Sequence, residues 1–186
     1  STITGTKASG AEISGYSGAL EVNVVDFGAD KKGKKDSSKA IQKALDYAID
    51  NGSNSVQIKV VVPKGKYRID KLLEIYSNTW LYLEDGATIV RNFDKGCMIK
   101  NAQANGAGGY GSERNIVIEG GCWDGNPSST SRPFSNMRFG HMKNLWIKNV
   151  EIKNNYNGHH VEIGGVKGIT IEDCDFHGYT GTFQKE

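Results

Sequence analysis

Two short segments place a charged residue between two apolar ones at matching positions. Arg138 is the middle residue of Met-Arg-Phe at 137–139, and Glu162 is the middle residue of Val-Glu-Ile at 161–163. Neighbouring side chains of a β-strand point to opposite faces, so Arg138 and Glu162 should both point outward. A guanidinium can bind a carboxylate, and a glutamate can act as an acid or a base. The simpler interpretation is a cross-strand ion pair that contributes less than about 1 kcal/mol.

Two histidines, His159 and His160, come just before the second of these segments. Only one of two neighbours in a strand can face outward, and a lone histidine is more often structural than functional. Together with Asp175 and His177 they show no recognised metal-ligand spacing. We therefore expect no metal site and no cofactor, and we retain His159 and His160 as candidate site residues.

Three aromatic residues are candidates for contact with a ligand. Trp146 lies between two aliphatic residues, as does Tyr82, so both rings are expected to be exposed on the outside of a sheet. Tyr110 belongs to a glycine-rich stretch over residues 102–113, which predicts a long loop at the wall of a groove. Exposed aromatic rings often stack on sugars, although isolated ones are also ordinary surface residues. Tyr82, Trp146, Tyr110 and His160 form the predicted substrate-binding set.

Composition excludes several classes of protein. The chain has 186 residues, with 23 Lys and Arg against 21 Asp and Glu, which fits one domain of net charge +2. That charge gives no general argument for a nucleic-acid partner, and no apolar run of about 18 residues predicts a membrane span. Cys97, Cys122 and Cys174 are too few and too widely spaced for a disulfide scaffold or a zinc motif.

The hydrophobic period changes along the chain. Residues 1–20 are mostly small and polar and predict a flexible leader before one domain over residues 21–186. A basic loop at 31–35 precedes one amphipathic helix near 37–50, which Asp36 or Ser37 can cap. From residue 56 onward the period becomes two, in short strands separated by turns.

Three segments, which begin at Arg114, Lys143 and Lys167, align with one another without a gap. In each segment the third, fifth and tenth residues are apolar: Ile116, Ile118 and Trp123; Leu145, Ile147 and Ile152; Ile169, Ile171 and Phe176. Such columns are typical of stacked coils, whose equivalent residues lie about 4.8 Å apart. The repeat of 24 residues, from 143 to 167, predicts a parallel β-solenoid of about five turns from residue 56. The helix would cover its N-terminal end.

The segments at 24–30, 36–44 and 61–67 resemble the N-terminal block of the pectate-lyase-like superfamily. Those at 83–89 and 118–126 are similar to coils of polygalacturonase-type glycoside hydrolases. The resemblance covers about residues 22–180 and implies an all-β, right-handed parallel β-helix with an N-terminal amphipathic capping helix. It further implies that the sheet carrying Arg138 and Glu162 binds polysaccharide, with Arg138 pairing a sugar carboxylate and Glu162 acting as acid or base. One such fold hosts many functions.

The polygalacturonase pattern fails at its catalytic positions. Its first carboxylate falls on His159, and its paired carboxylates one coil later fall near residues 179–181, where this chain has Tyr, Thr and Gly. Hydrolysis of a glycosidic bond ordinarily needs two carboxyl groups that flank the bond, so the departure argues against a standard polygalacturonase. His159 nevertheless joins Arg138 and Glu162 as a catalytic candidate, because it occupies the position of the family's catalytic residue.

Two function classes remain open for a secreted or cell-surface β-helix that engages a polysaccharide or glycan. One is a polysaccharide hydrolase or lyase. The other is a non-catalytic adhesin, because surface β-helix adhesins of Gram-positive bacteria resemble this chain in the N-terminal block and lack the hydrolase carboxylates. Those adhesins bind host matrix proteins or glycans. The last repeat is followed by no recognisable cap, so we expect the solenoid to continue in a longer protein.

Overall fold

Short strands of alternating apolar and polar residues stack here into a right-handed parallel β-helix. The computed structural model describes residues 4–6, 15–106 and 108–182. In chain order the elements are β1 Thr4–Thr6, β2 Gly18–Asn23, β3 Lys32–Asp36, α1 Ser38–Asn51, β4 Val56–Val62, β5 Gly65–Ile69, β6 Leu73–Ile75, β7 Thr79–Leu83, β8 Ala87–Arg91, β9 Ile99–Asn101, β10 Arg114–Glu119, β11 Cys122–Asp124, β12 Met137–Lys148, β13 Glu151–Tyr156, β14 Val161–Glu172 and β15 Asp175–Thr180. Single 3₁₀ turns lie at Val24–Phe27 and Pro127–Ser129.

The strands form three faces around one core. Face A contains β2, β4, β7, β10 and the second halves of β12 and β14, and face B contains β3, β5, β8, β11, β13 and β15. Face C contains β6, β9 and the first halves of β12 and β14. The two long strands turn from face C to face A at His141 and Gly165, whose φ angles are 55° and 67°. All pairs among these faces are parallel, and β1 alone pairs antiparallel, with β2.

The hydrogen-bond register confirms the repeat predicted from the sequence. Lys143 pairs with Lys167 and Met137 with Val161, both at the 24-residue offset, and Arg114 pairs with Lys143 as in the gapless alignment. Face A has five rungs from β4 onward, which is the predicted number, and β2 adds a sixth before them.

The predicted apolar columns fill the core. Ile116, Ile118 and Trp123 have no exposed surface, and their equivalents one coil later, at 145, 147 and 152, are at most 2% exposed. In the last described coil Ile169, Ile171 and Phe176 are 38–41% exposed, because no described rung covers them. The same side-chain direction therefore gives a closed core in the middle of the solenoid and exposed apolar side chains on the last described rung.

The helix α1 occupies the place of a face C strand in the first coil. Its apolar face is buried in the core, through Ala40, Ile41, Ala44, Leu45 and Ala48, as the periodicity predicts. The Gln42 side chain then pairs with the backbone of Glu74 in β6, donating to its carbonyl at 3.0 Å and accepting from its amide at 2.8 Å. The helix thus covers the edge of face C. No helix in the described residues is long and apolar enough to cross a membrane.

Two expectations about the first 40 residues need comment. The basic run at 31–35 was expected to form a loop, but residues 32–36 form strand β3 beside β5. The Asp30 carboxylate accepts the amides of Lys32, Lys34 and Lys35, and these bonds fix the backbone that the lysine side chains alone would not order. Of the expected leader, residues 1–3 and 7–14 lie outside the described part, and residues 18–20 belong to β2. The leader remains a prediction.

A column of asparagines supports one corner of the solenoid. Asn78, Asn115 and Asn144 lie on successive coils with φ of 57–63°, a region that asparagine tolerates better than most residues. Asn144 Nδ2 donates to Asn115 Oδ1 at 3.0 Å, and Asn115 Nδ2 donates to Asn78 Oδ1 at 3.3 Å. The Tyr16 hydroxyl ends the ladder with a 2.8 Å bond to the same Asn78 oxygen. The ladder links three coils through side chains alone.

We expect Asn115→Ala to lower the free energy of unfolding by about 2 kcal/mol, because it removes two ladder bonds and places an alanine, which tolerates the left-handed region less well than asparagine, at a φ of 58°. Asn115→Gly removes the same bonds and fits the backbone angle, so it should cost less than the alanine variant. Urea unfolding of the two variants and the parent chain measures both effects. A glycine variant less stable than the alanine variant would contradict this account.

Candidate functional site

The largest group of predicted site residues converges on an outward groove along face C. The groove has a volume of about 580 Å³ and contains Arg138, Glu162 and His159, all three of the predicted catalytic residues. Its other lining residues come from five loops and from β9: Leu72, Lys95, Gly96, Cys97, Lys100, Asn105, Pro133, Phe134, Ser135, Asn157 and Gly158. The strands form the floor of this groove, and the loops form its walls.

A charged column runs along the floor. Glu74 of β6 pairs with Lys100 of β9, Lys100 with Arg138 of β12, and Arg138 with Glu162 of β14. Neighbouring rungs are about 4.8 Å apart, so two cations lie side by side in the middle of the column. Like charges directly opposite each other are destabilising. A bound anion between Lys100 and Arg138 would relieve this repulsion, and Lys95 adds a third cation at the wall.

Glu162 is held in place but only loosely paired. Its Oε2 accepts from the Ser135 hydroxyl at 3.0 Å, while its Oε1 lies 3.9 Å from Arg138 Nε. The Arg138 and Glu162 side chains are 44% and 45% exposed, so both can reach a ligand. The simpler interpretation, a cross-strand ion pair, is therefore present at long distance. It leaves the Arg138 guanidinium largely available to another acceptor.

His159 lies at the end of the groove on a backbone that buried amides fix. Asn155 is fully buried and its Nδ2 donates to the carbonyls of Phe134 and His159, at 2.7 and 3.0 Å. The His159 carbonyl also accepts from the Asn136 amide at 2.9 Å. Gly158 has no room for a side chain, because a Cβ there would lie 2.0 Å from the Phe134 carbonyl oxygen. These contacts fix the backbone at His159 beside the loop that carries Phe134.

A buried arginine joins the loops at 92–98 and 125–136, which both line the groove. Arg91, at the end of β8, donates through Nε and Nη2 to the Gly96 carbonyl, at 3.1 and 2.8 Å, and through Nη1 to Ser129 Oγ at 3.3 Å. Its guanidinium lies between the rings of Phe93 and Phe134, at 4.3 and 3.9 Å from their centroids. Burial lowers the pKa of Arg91 to about 10, so it remains charged at neutral pH.

The thiol in the groove is not a nucleophile at neutral pH. Cys97 lines the wall beside Lys100 and Arg138, yet burial raises the pKa of its thiol above the usual value. The thiolate is the reactive form of cysteine, and it is therefore scarce here. Glu162 and His159 are the carboxylate and the imidazole of the groove, and they are its candidates for acid–base chemistry.

Comparison with known families assigns nearly the whole chain to one family. The family model described as rhamnogalacturonase A/epimerase, pectate lyase-like, matches residues 21–184. The chain belongs to this family. The match confirms the resemblance inferred from the N-terminal block and the coil turns, and it agrees with the parallel register of the three faces.

The chain is similar in sequence to a streptococcal binding protein, and in fold to a surface adhesin and to an epimerase module. The plasmin and fibronectin-binding protein A of Streptococcus pneumoniae is 30% identical over 181 residues, which cover 84% of this chain and 24% of that protein. The solved structure of the S. pneumoniae surface protein and adhesin PfbA superposes with a TM-score of 0.76 at 25% identity, over 89% of this chain and 43% of that one. The A-module of the Azotobacter vinelandii mannuronan C-5 epimerase AlgE6 reaches 0.68 at 22% identity, over 82% and 42%. The chain thus spans about a quarter of the curated relative.

The predicted substrate-binding residues do not join the groove. His160 stacks on Phe176 with 6.1 Å between centroids. Tyr82 and Trp146 lie on face A, separated by the β10 rung, and Tyr110 is 46% exposed in the loop at 102–113. Tyr82 and Trp146 were expected to be exposed, but both rings are only partly exposed. Lys59 Nζ lies 4.9 Å from the Tyr82 ring centroid, and Lys148 Nζ lies 5.3 Å from the Trp146 ring centroid, so each lysine covers part of a ring.

Sequence reasoning missed the cations that complete the groove. Lys100 lies between Ile99 and the polar Asn101, so the pattern of two apolar neighbours seen at Arg138 is broken there, and the two residues are 38 positions apart (100 to 138). The loop at 102–113 lies between them and hides the repeat. Lys95 and Ser135 lie on loops, where no period applies. No local pattern therefore identified these residues.

We expect Arg91→Met to lower the free energy of unfolding by about 2–4 kcal/mol, because it leaves the Gly96 carbonyl without its buried donors. The matched control is Arg132→Met, which removes an exposed 2.8 Å contact to Asp94 on the same pair of loops and should cost less than about 1 kcal/mol. Chemical unfolding and limited proteolysis of the loop at 92–98 give the two readouts. Equal losses in the two variants would refute the assigned role of Arg91.

Stability in mild acid should depend on His160. Burial, and then the charge of His177, lower the pKa of His160 below its usual value of about 6.5. Below that pH the unfolded chain binds the proton more readily than the folded protein, so stability falls as the pH decreases towards the folded pKa. We expect His160→Phe to flatten this slope below about pH 6.5, measured by urea unfolding at several pH values. A His141→Asn control should keep it. An unchanged slope in the phenylalanine variant would show that another group is responsible.

Proposed function

We propose that this chain binds an acidic polysaccharide in the face C groove, outside the cell or at a bacterial cell surface. The observation that carries the proposal is the adjacent pair Lys100 and Arg138 on the groove floor, with Lys95 at its wall. Sugar carboxylates would accept charge-assisted hydrogen bonds from these three cations. An open groove across several rungs suits an extended polymer better than a small molecule.

The groove favours proton abstraction over hydrolysis as its chemistry. Two-carboxylate hydrolysis needs a second acid across the bond, and Glu162 is the one carboxylate among the residues that line this groove. Elimination from a uronate needs less. A base removes the proton next to the carboxylate, the electron pair forms a double bond, and the glycosidic oxygen leaves with a proton. Lys100 and Arg138 would stabilise the charge on the carboxylate, and His159 or Glu162 would transfer the proton.

The family and its relatives support this proposal without deciding the chemistry. The family is described as rhamnogalacturonase A/epimerase, pectate lyase-like, and a mannuronan C-5 epimerase module has a similar structure. Proton abstraction next to a uronate carboxylate is a step that epimerisation and elimination share. The same fold is therefore compatible with either reaction, and also with binding that leads to no reaction.

The binding test compares polygalacturonate and alginate with neutral dextran by affinity electrophoresis. We expect an acidic polymer to retard the chain and dextran not to retard it. Lys100→Met and Arg138→Met should each bind the acidic polymer at least about tenfold more weakly, since each removes one charge-assisted contact. Lys143→Met, an exposed lysine on face A, is the matched control and should bind like the parent chain. Equal retardation by dextran, or full binding by both groove variants, would overturn the proposal.

The chemical test uses the same polymers and scores new unsaturated ends. We expect His159→Ala or Glu162→Gln to abolish product while polymer binding persists, because each variant removes a proton-transfer group and keeps the two cations. Reducing ends without unsaturation would show hydrolysis and contradict the elimination chemistry. Binding without product from the parent chain would establish the groove as a binding surface.

A second candidate function is adhesion to a host protein. The observation in its favour is the 30% identity to the plasmin and fibronectin-binding protein A of S. pneumoniae. Immobilised plasmin and fibronectin, with serum albumin as the control surface, test this directly. Competition by the acidic polymer would place the protein partner in the face C groove. If the acidic polymer does not compete, the protein partner would bind elsewhere on the solenoid.

A further inference from the structure

A column of side chains whose types can ligate a metal runs along the outside of face B. None of these residues belongs to the groove on face C. Thr88, Cys122, Glu151 and Asp175 pair rung by rung, so their side chains follow one line down the face. His177 follows Asp175 by two residues and points to the same side of strand β15. The column therefore brings a thiol, two carboxylates and an imidazole together from three coils.

The ligand atoms of this column are close enough to share one ion. One donor atom from each of Glu151, Asp175 and His177 lies within 4.8 Å of the other two. His177 Nε2 is 3.7 Å from Glu151 Oε2, and the Cys122 thiol is hydrogen-bonded to the Glu151 carboxylate. Within the described residues, Glu151, Asp175 and His177 form the one group of three carboxylate, thiol or imidazole donors that all lie within 4.8 Å of one another.

The donor types of the column indicate which ion it could bind. Glu151 and Asp175 are directly paired across β13 and β15, and two like charges in that position repel. Lys153, which pairs with His177 on the same face, reduces this repulsion. Zinc binds imidazole nitrogen, carboxylate oxygen and thiolate sulfur at about 2.0–2.3 Å in a tetrahedron, whereas calcium and magnesium prefer oxygen donors alone. The mixture of donors thus selects a zinc-type ion.

We propose that Glu151, Asp175 and His177 bind a divalent zinc-type cation, which leaves a fourth coordination position open. The side chains of Glu151 and His177 are 40% and 48% exposed, so the ion can enter and the ligands can rotate by the small amount needed. Such an ion would tie β15 to β13. It would therefore hold the last described coil, whose apolar residues are the least covered, against the coils before it.

The primary test measures zinc binding by the whole chain, prepared free of metal. Equilibrium dialysis should give one zinc per chain, and zinc chloride in excess should raise the midpoint of thermal unfolding by at least about 4 °C. Calcium chloride and magnesium chloride should produce no comparable rise. His177→Ala and Glu151→Gln should each weaken zinc binding at least about tenfold, because each removes one ligand.

The control is His141→Asn, which removes a histidine from the corner between faces C and A and leaves the column intact. It should bind zinc like the parent chain. Unchanged zinc binding in His177→Ala or in Glu151→Gln would overturn the proposal, as would a response to calcium equal to that for zinc. Neither variant touches the polysaccharide groove, so failure here leaves the proposed function unaffected.

Discussion

The parallel register between successive coils is the constraint on which the rest of this structure depends. Each rung repeats the position of the one before it at about 4.8 Å, so a side chain's direction in one strand fixes its column in the whole solenoid. Inward columns become the core, where the residues at 116, 118 and 123 are fully buried. Outward columns become surfaces, and the charges of distant residues accumulate along them. Left-handed asparagines at the corner make the same register possible through side-chain bonds.

The groove shows how loops convert a flat face into a site. The strands of face C provide only the charged floor, on which Lys100 and Arg138 lie side by side. The walls depend on buried polar residues: Arg91 holds two loops together from below, and Asn155 fixes the backbone at His159. Each of these residues is completely buried and satisfies carbonyl groups that would otherwise lack partners. The shape of the groove is thus set by hydrogen bonds that are remote from any ligand.

Charge is distributed differently on the three faces. The outward column of face B begins with Lys32 and Lys66 and ends with Glu151 and Asp175, so it changes sign along the solenoid axis. Face C instead has cations in its middle and carboxylates at both ends, and face A carries partly covered aromatic rings. A net charge of +2 conceals this pattern completely. Because cations and carboxylates occupy different rungs of each column, one chain can present a cationic groove floor on face C and an acidic column end on face B.

Local pattern in the sequence determined the solenoid, its repeat and the apolar face of α1, because period and spacing are properties of neighbouring residues. It also placed Arg138 and Glu162 on one outward column, since both belong to gapless repeats. Tertiary structure alone decided what joins them. Lys100 is separated from Arg138 by a long loop, Asp30 orders a strand from a run of lysines, and Arg91 joins two loops beneath the groove. Such contacts depend on loop lengths and on which coil lies next, and no local period encodes either.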